Sequence, residues 1–147
     1  MTDNKKDTLP FNVRLLQAHA VLFSAIFVLP VLVPFYRDSM NLGFKEFIVG
    51  EAIFAAVAVA GEVPSGWLSD IWTRKKVMII GSLLHTVGFA AWIFTETFEH
   101  TIIVHILLGI SVSLISGTNT AMLYDSLLES NQENKYRRLD GMRSGLG

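Results

Sequence analysis

Two long apolar segments of this chain are joined by the polar stretch Gly66-Trp67-Leu68-Ser69-Asp70-Ile71-Trp72-Thr73-Arg74-Lys75-Lys76. In this stretch an aspartate follows a glycine by four residues, and a basic triplet begins four residues after the aspartate. The apolar residues before and after it are numerous enough to form two helices. The stretch is therefore predicted to be the turn where one membrane helix ends and the next begins.

Composition supports a membrane protein. Of the 147 residues, 51% are hydrophobic, and the mean hydropathy is +0.44. Three runs contain no Asp, Glu, Lys or Arg, namely 15–36, 77–95 and 100–124. Each is close to the ~20 residues that a helix needs to cross the hydrocarbon core, and none alternates like the strands of a membrane barrel. A further run, 47–68, spans only if Glu51 and Glu62 are accepted within it. The predicted fold is an all-α transmembrane bundle of several helices.

The whole chain, 1–147, is predicted to be one transmembrane region. Its helices are expected at about 13–36, 46–69, 76–97 and 101–128, and a fifth is expected to start at about 137–147. Lys and Arg are concentrated before the first helix, in the 70–76 turn and after the fourth helix. By the positive-inside rule, the N-terminus and this turn are cytoplasmic. We therefore expect a multi-pass protein of the plasma (inner) membrane, with Tyr36 at its outer interface.

The polar stretch resembles the loop between the second and third helices of major facilitator superfamily transporters. The usual form of that loop is Gly-x-Leu-Ala-Asp-Arg-x-Gly-Arg-Lys. The matching residues are Gly66, Leu68, Asp70, Arg74 and Lys75. Ile71 stands in place of the usual Arg, and Thr73 in place of the usual Gly.

The resemblance implies secondary active transport of a small solute by alternating access. Superfamily transporters have twelve helices in two halves, so this chain resembles an N-terminal part of about one third. We expect that it does not transport alone, because the C-terminal helices that would be its partners are missing. The family also implies that Gly66, Asp70, Arg74 and Lys75 form a cytoplasmic latch. From its position at the helix junction, Asp70 could also accept backbone N–H groups at the start of the next helix.

Glu62 is predicted to lie within the bilayer, eight residues before Asp70 and therefore about 12 Å along the helix. An acid at this depth is a functional hypothesis by default, here for a proton or cation site. The other interpretation is a buried acid that is neutral or paired for structural reasons. The segment 61–66 resembles a Glu-x-Pro-x-Gly variant in efflux-type members, in which the Glu comes with the motif. Both interpretations remain open.

The fourth helix carries a pattern that repeats every four residues. Its members are His105, Gly109, Ser113, Gly117, Ala121 and Asp125. Small residues at this spacing predict a close helix-packing face. Asp125 is expected at the cytoplasmic end of that face and is predicted to pair with Arg74, which would add it to the latch. Residues 116–127 resemble the fourth helix of efflux-type members.

Other polar residues are candidates for binding or coupling. His105 stands where proton-driven antiporters of the superfamily often have an Arg, and it either packs with a hydrogen bond or titrates near neutral pH. Glu51 is expected near the outer end of its helix with its carboxylate in water. In the intact protein the first and fourth helices would line the solute cavity. The candidates there are Gln17, His19, Asn119 and Thr120.

Other chemistry finds no support in the sequence. The chain has no Cys, no clustered His at metal-ligand spacing and no phosphate-binding loop. We expect no enzyme, cofactor, metal or nucleic-acid partner; the expected partners are the lipid bilayer, a small solute and protons or another coupling ion. Two alternatives stay open: a complete four-helix protein such as a dimeric multidrug pump, and a non-transporting membrane scaffold. Such pumps carry an essential Glu in the first helix, whereas the first helix here has no acid.

Overall fold

The computed structural model describes residues 11–24 and 29–146, and all the regular secondary structure in these ranges is helical. Three segments are long and apolar enough to cross a membrane: 44–71, 74–94 and 98–129. The helices of the described residues are α1 (Phe11–Ser24), α2 (Leu29–Met40), α3 (Phe44–Ile71), α4 (Arg74–Ala91), α5 (Phe98–Glu129) and α6 (Tyr136–Leu146). Short 3₁₀ turns occupy Trp92–Phe94 and Glu133–Lys135.

The helix ends differ from the predicted ones by a few residues. α3 and α5 each extend two or more residues beyond the predicted start, and α4 begins at Arg74 rather than at 76. The α-helical part of α4 ends at Ala91, and the 3₁₀ turn that follows is closed by the Thr95 hydroxyl, which donates to the Trp92 carbonyl at 2.7 Å. Within the predicted helix 13–36 the structure has α1 and α2, and residues 25–28 between them lie outside the described residues. So do the N-terminal lysines and Gly147.

The turn between α2 and α3 sets where α3 starts. Asn41 has a φ of 53°, in the left-handed region, which asparagine tolerates better than most residues. The Leu42 amide donates to the Tyr36 carbonyl at 2.9 Å. The Glu46 carboxylate accepts a hydrogen bond from the Gly43 amide at 2.9 Å, as in a capping box. These contacts fix the register of the first turns of α3.

The chain divides into two compact units, 27–118 and the pair of segments 1–26 and 119–147. In the 27–118 unit, α3 and α5 run parallel. Positions that face each other are Gly50 and His105, Val57 and Gly109, Gly61 and Ser113, and Ser65 and Gly117. α4 runs antiparallel to α5, with Gly88 against Leu108 and Gly81 against Ile115. In the other unit α1 contacts α6, and the Tyr124 and Tyr136 rings meet edge to face.

At one end of the 27–118 unit, which we call the aromatic end, α2, the start of α3, the end of α4 and the start of α5 share an apolar cluster. Its buried members are Leu32, Tyr36, Trp92, Val104 and Leu108. Tyr36, expected at the outer interface, is buried in this cluster, with only 1% of the residue exposed, and its depth in the membrane stays a prediction. Its ring packs against Phe47 and Trp92 at centroid distances of 5.7 and 5.6 Å. The Tyr36 ring thus contacts neighbouring helices rather than lipid or water.

Candidate functional site

Residues 66–76, which we call the motif turn, form a tight connection between α3 and α4. The Trp72 amide donates to the Leu68 carbonyl at 2.9 Å, which closes the last turn of α3. Thr73 is the N-cap of α4, and the Lys76 amide donates to its carbonyl at 2.8 Å. The suggestion that Asp70 caps the next helix is therefore wrong, since Asp70 lies in the last turn of α3. The turn places Asp70 just before the connection and Arg74 just after it.

The motif turn is an open part of the surface. Asp70, Ile71, Trp72 and Lys75 are all exposed, and Trp67 is 67% exposed. A Cβ atom added to Gly66 would meet nothing within 4 Å. A groove beside the turn is lined by Ile71, Trp72, Thr73, Lys76, Ile79 and Ile80. The described helices therefore leave room around this turn for a further contact.

The two acidic candidates, Glu62 and Asp125, differ in their surroundings. Glu62 is exposed on α3, and its backbone carbonyl accepts a hydrogen bond from the Ser65 hydroxyl at 2.9 Å. The described helices thus do not bury the Glu62 carboxylate. Asp125 is half-buried in α5 and belongs to the unit that does not contain Arg74. Its pairing with Arg74 stays a prediction.

The interface of α3 with α5 is built from small residues. A Cβ on Gly109 would lie 2.9 Å from the Phe54 carbonyl oxygen, and one on Gly117 would lie 3.0 Å from the Ser65 hydroxyl. Ser113 faces Gly61, and its hydroxyl donates to the Ile110 carbonyl of its own helix at 2.8 Å. Because the serine hydroxyls bond to their own helices, the two backbones approach closely without leaving an unpaired donor.

The aromatic end contains a second arrangement, the His105 pocket, formed by His105, Gly50, Glu51, Trp92 and Thr101. His105 is 2% exposed. Its Nδ1 lies 2.7 Å from the Thr101 carbonyl oxygen, and its Nε2 lies 3.8 Å from Oε1 of Glu51. The Trp92 ring meets the imidazole edge to face at 5.3 Å. A Cβ on Gly50 would lie 2.6 Å from His105 Cε1, so the ring occupies the space that this glycine leaves.

Sequence reasoning treated Glu51 and His105 separately and missed that they meet. A signal was present: Glu51 is seven residues after the start of α3, and His105 is seven residues after the start of α5. Two parallel helices that start at the same membrane surface bring such residues to equal depth. His85 was also missed. Its Nδ1 lies 2.8 Å from the Ser111 hydroxyl of α5, which itself donates to the Leu108 carbonyl at 2.7 Å.

The four candidates for the cavity lie in the unit formed by 1–26 and 119–147. Gln17, His19 and Thr120 are half-buried, and the His19 ring stacks on Phe23 at 5.7 Å. Asn119 is buried, and its Oδ1 has no hydrogen-bond partner in the described part of the chain. A shared cavity wall remains a prediction for these residues. Over the same described ranges, no group of three or more His, Cys, Asp or Glu is placed to hold a metal ion.

Comparison with known proteins identifies the class. The profile of the Major Facilitator Superfamily matches residues 9–133, and the chain belongs to this superfamily. With its apolar helices, it is an integral membrane protein of a transporter family and not an enzyme.

Two relatives illustrate the range of similarity. The galactose-proton symporter of Escherichia coli K12 is 34% identical over 93 residues, which are 62% of this chain and 19% of the symporter. An uncharacterized transporter of Buchnera aphidicola subsp. Schizaphis graminum is 32% identical over 127 residues, which are 85% of this chain and 31% of that protein. The chain thus spans about a fifth to a third of the length of these relatives. No solved structure matches it.

Proposed function

We propose that this chain is the N-terminal part of a secondary active transporter, which moves a small solute across the plasma membrane by alternating access. The observation that carries the proposal is the motif turn, because it joins α3 to α4 within the segment that matches the superfamily. The chain alone does not transport in this proposal, since half-transporters lack the second half that must rock against the first. The N-terminus and the motif turn are on the cytoplasmic side.

Protons are the coupling ion in this proposal, and a sugar is the first solute to test. Both choices are supported by the similarity to the galactose-proton symporter. The Glu62 segment and the residues around Asp125, which are similar to efflux-type members, favour export as a second candidate. Gln17, His19, Asn119 and Thr120 are proposed to contribute to the solute cavity, and Glu62 is a candidate coupling acid.

A transport assay with two chains tests this function. The full-length gene product and the 147-residue chain would be reconstituted separately in proteoliposomes, and uptake of radiolabelled galactose and other sugars measured under an imposed pH gradient. We expect gradient-driven accumulation with the full-length protein, abolished by a protonophore, and none with the short chain. If the imposed pH gradient drives solute out of the proteoliposomes instead of into them, the result would favour export. Accumulation with the short chain would contradict the proposal and favour a complete small pump.

The latch is proposed to consist of Gly66, Asp70, Arg74, Lys75 and Asp125. A charge reversal at Asp125, D125K, should then reduce transport about tenfold, because one coupling interaction between parts of a protein is commonly worth this much. The double variant D125K/R74E restores the opposite charges and should recover transport. The matched control is D125K/R137E, which reverses an exposed Arg in α6 and should not recover it. Equal transport by the two double variants would contradict the pairing.

A further inference from the structure

The His105 pocket has a geometry that fixes which ring nitrogen carries a proton. The Thr101 carbonyl can only accept a hydrogen bond, so Nδ1, at 2.7 Å from it, must be the donor. The proton on Nδ1 is therefore present in both the neutral and the charged ring. Nε2 is left as the nitrogen that gains or loses a proton, and it faces the Glu51 carboxylate at 3.8 Å.

These two facing groups need one proton between them. Without it, the Nε2 lone pair and the ionised carboxylate are both acceptors and repel each other. With one proton on Nε2 the pair is an imidazolium with a carboxylate and carries no net charge. A pair without net charge is far less costly to place in an apolar environment than a lone carboxylate. We propose that His105 and Glu51 together form a binding site for a single exchangeable proton.

The other described residues around the pocket do not take part in binding this proton. From the turn after α4, Trp92 supplies an aromatic edge that does not titrate in this range, and α5 supplies the Thr101 carbonyl. From α2, the Tyr36 hydroxyl is buried without a hydrogen bond to any described residue. No Lys or Arg of the described ranges forms an ion pair with Glu51.

The pocket also gives the proton a route. The side chain of His105 is 3% exposed, whereas that of Glu51 is 38% exposed. Because the carboxylate is the more accessible group, a proton that reaches Nε2 enters past Glu51, and the 3.8 Å between the two atoms must shorten before it is transferred. On release it follows the same path in reverse. Glu51 is the open side of the site and His105 is the closed side.

This site would supply a location for the coupling proton, a role that rests on the proposed function. Proton binding itself does not depend on transport. It can be measured without solute or gradient, so a negative result here would leave the transport proposal standing, and a failed transport assay would leave this site standing.

Solid-state NMR of the protein labelled with ¹⁵N-histidine in lipid bilayers would follow the ring nitrogens from pH 5 to pH 9. Loss of a signal in H105Q assigns it to His105 among the four histidines. We expect Nδ1 to stay protonated throughout and Nε2 to gain a proton as the pH falls. At the pH where the two forms are equal, E51Q should lower the ratio of protonated to neutral His105 about tenfold, since a facing carboxylate shifts such an equilibrium by at least this factor. The control E96Q removes an exposed acid outside the pocket and should leave the ratio unchanged.

Two results would overturn the proposal: an Nε2 that never gains a proton between pH 5 and pH 9, or an unchanged ratio in E51Q. Circular dichroism would verify that E51Q keeps its helix content. If E51Q does not fold, E51D keeps the carboxylate and should hold the ratio within about threefold of the unmodified protein. A tenfold fall in a folded E51D would then count against a site that needs only the charge.

Discussion

The aromatic end and the motif turn, both in the 27–118 unit, are organised in opposite ways. At the aromatic end Trp92 is 8% exposed and packs on Phe35, Tyr36 and His105. At the motif turn Trp67 is 67% exposed, and the neighbouring Ile71 and Trp72 are exposed as well. The residues that identify the family thus make few packing contacts here. The residues that pack the helices together at the aromatic end lie outside the motif turn.

The difference follows from what each region has to do. At the aromatic end two turns connect the helices. Dispersion between closely packed aromatic rings holds the helix ends together, and glycine lets the helices approach closely there. At the motif turn, backbone hydrogen bonds already close the two-residue connection between α3 and α4. The side chains of the turn are therefore not needed to close it. Changes at the aromatic end should therefore alter stability, and changes at the motif turn should alter function.

The largest effect is expected from W92A. Removing this ring leaves a cavity beside Tyr36 and His105, and truncation of a buried Trp costs about 3–5 kcal/mol of the free energy of unfolding. W67A is the matched control, and its effect should stay within about 0.5 kcal/mol because the ring is exposed. Reversible unfolding by SDS in mixed micelles, followed by circular dichroism, would measure both. Equal losses for the two variants would refute the contrast between the ends.

The sequence was informative about faces and less so about partners. The repeat at Gly109, Ser113 and Gly117 predicts a close-packing face, and in the structure these positions lie against α3. Periodicity does not say which helix covers a face, however. The sequence argument placed Gly66 in a latch, and it did not single out Gly50 or Gly61, whose contacts with His105 and Ser113 place α3 on α5.

Polar pairs between helices were the hardest features to predict. His85 and Ser111 are 26 residues apart, and neither belongs to a motif. Tyr36 shows the same limit, because an aromatic residue near a helix end is typical both of a membrane interface and of a packed cluster. Depth within the bundle decides these cases, and it depends on where each helix starts. The predicted helix starts are the part of the sequence analysis that differs from the structure by two or more residues.

A smaller effect is expected when a methyl group is added to the interface of α3 and α5. In G109A the new Cβ would lie 2.9 Å from both the Phe54 carbonyl oxygen and the Val57 Cβ, so the helices must separate at a cost of about 1–3 kcal/mol. The same substitution at Gly66 meets nothing within 4 Å and should not destabilise, since alanine favours helix over glycine by about 1 kcal/mol. SDS unfolding of the two variants should therefore give shifts of opposite sign. A stabilised G109A would show that the interface of α3 and α5 has room for a methyl group at this position.

The smallest of these effects tests the contact of α4 with α5 away from both ends. S111A removes the hydroxyl that accepts the Nδ1–H of His85 and leaves this half-buried donor without that acceptor. One hydrogen bond contributes about 0.5–1.5 kcal/mol of net stability, so the expected loss is near 1 kcal/mol. T86V is the control, because the Thr86 hydroxyl is exposed and donates to the Ser82 carbonyl of its own helix. The double variant S111A/H85F removes donor and acceptor together and should recover part of the loss. Additive losses in the double variant would mean that the 2.8 Å contact contributes no net stability, and that only packing holds α4 to α5 at this depth.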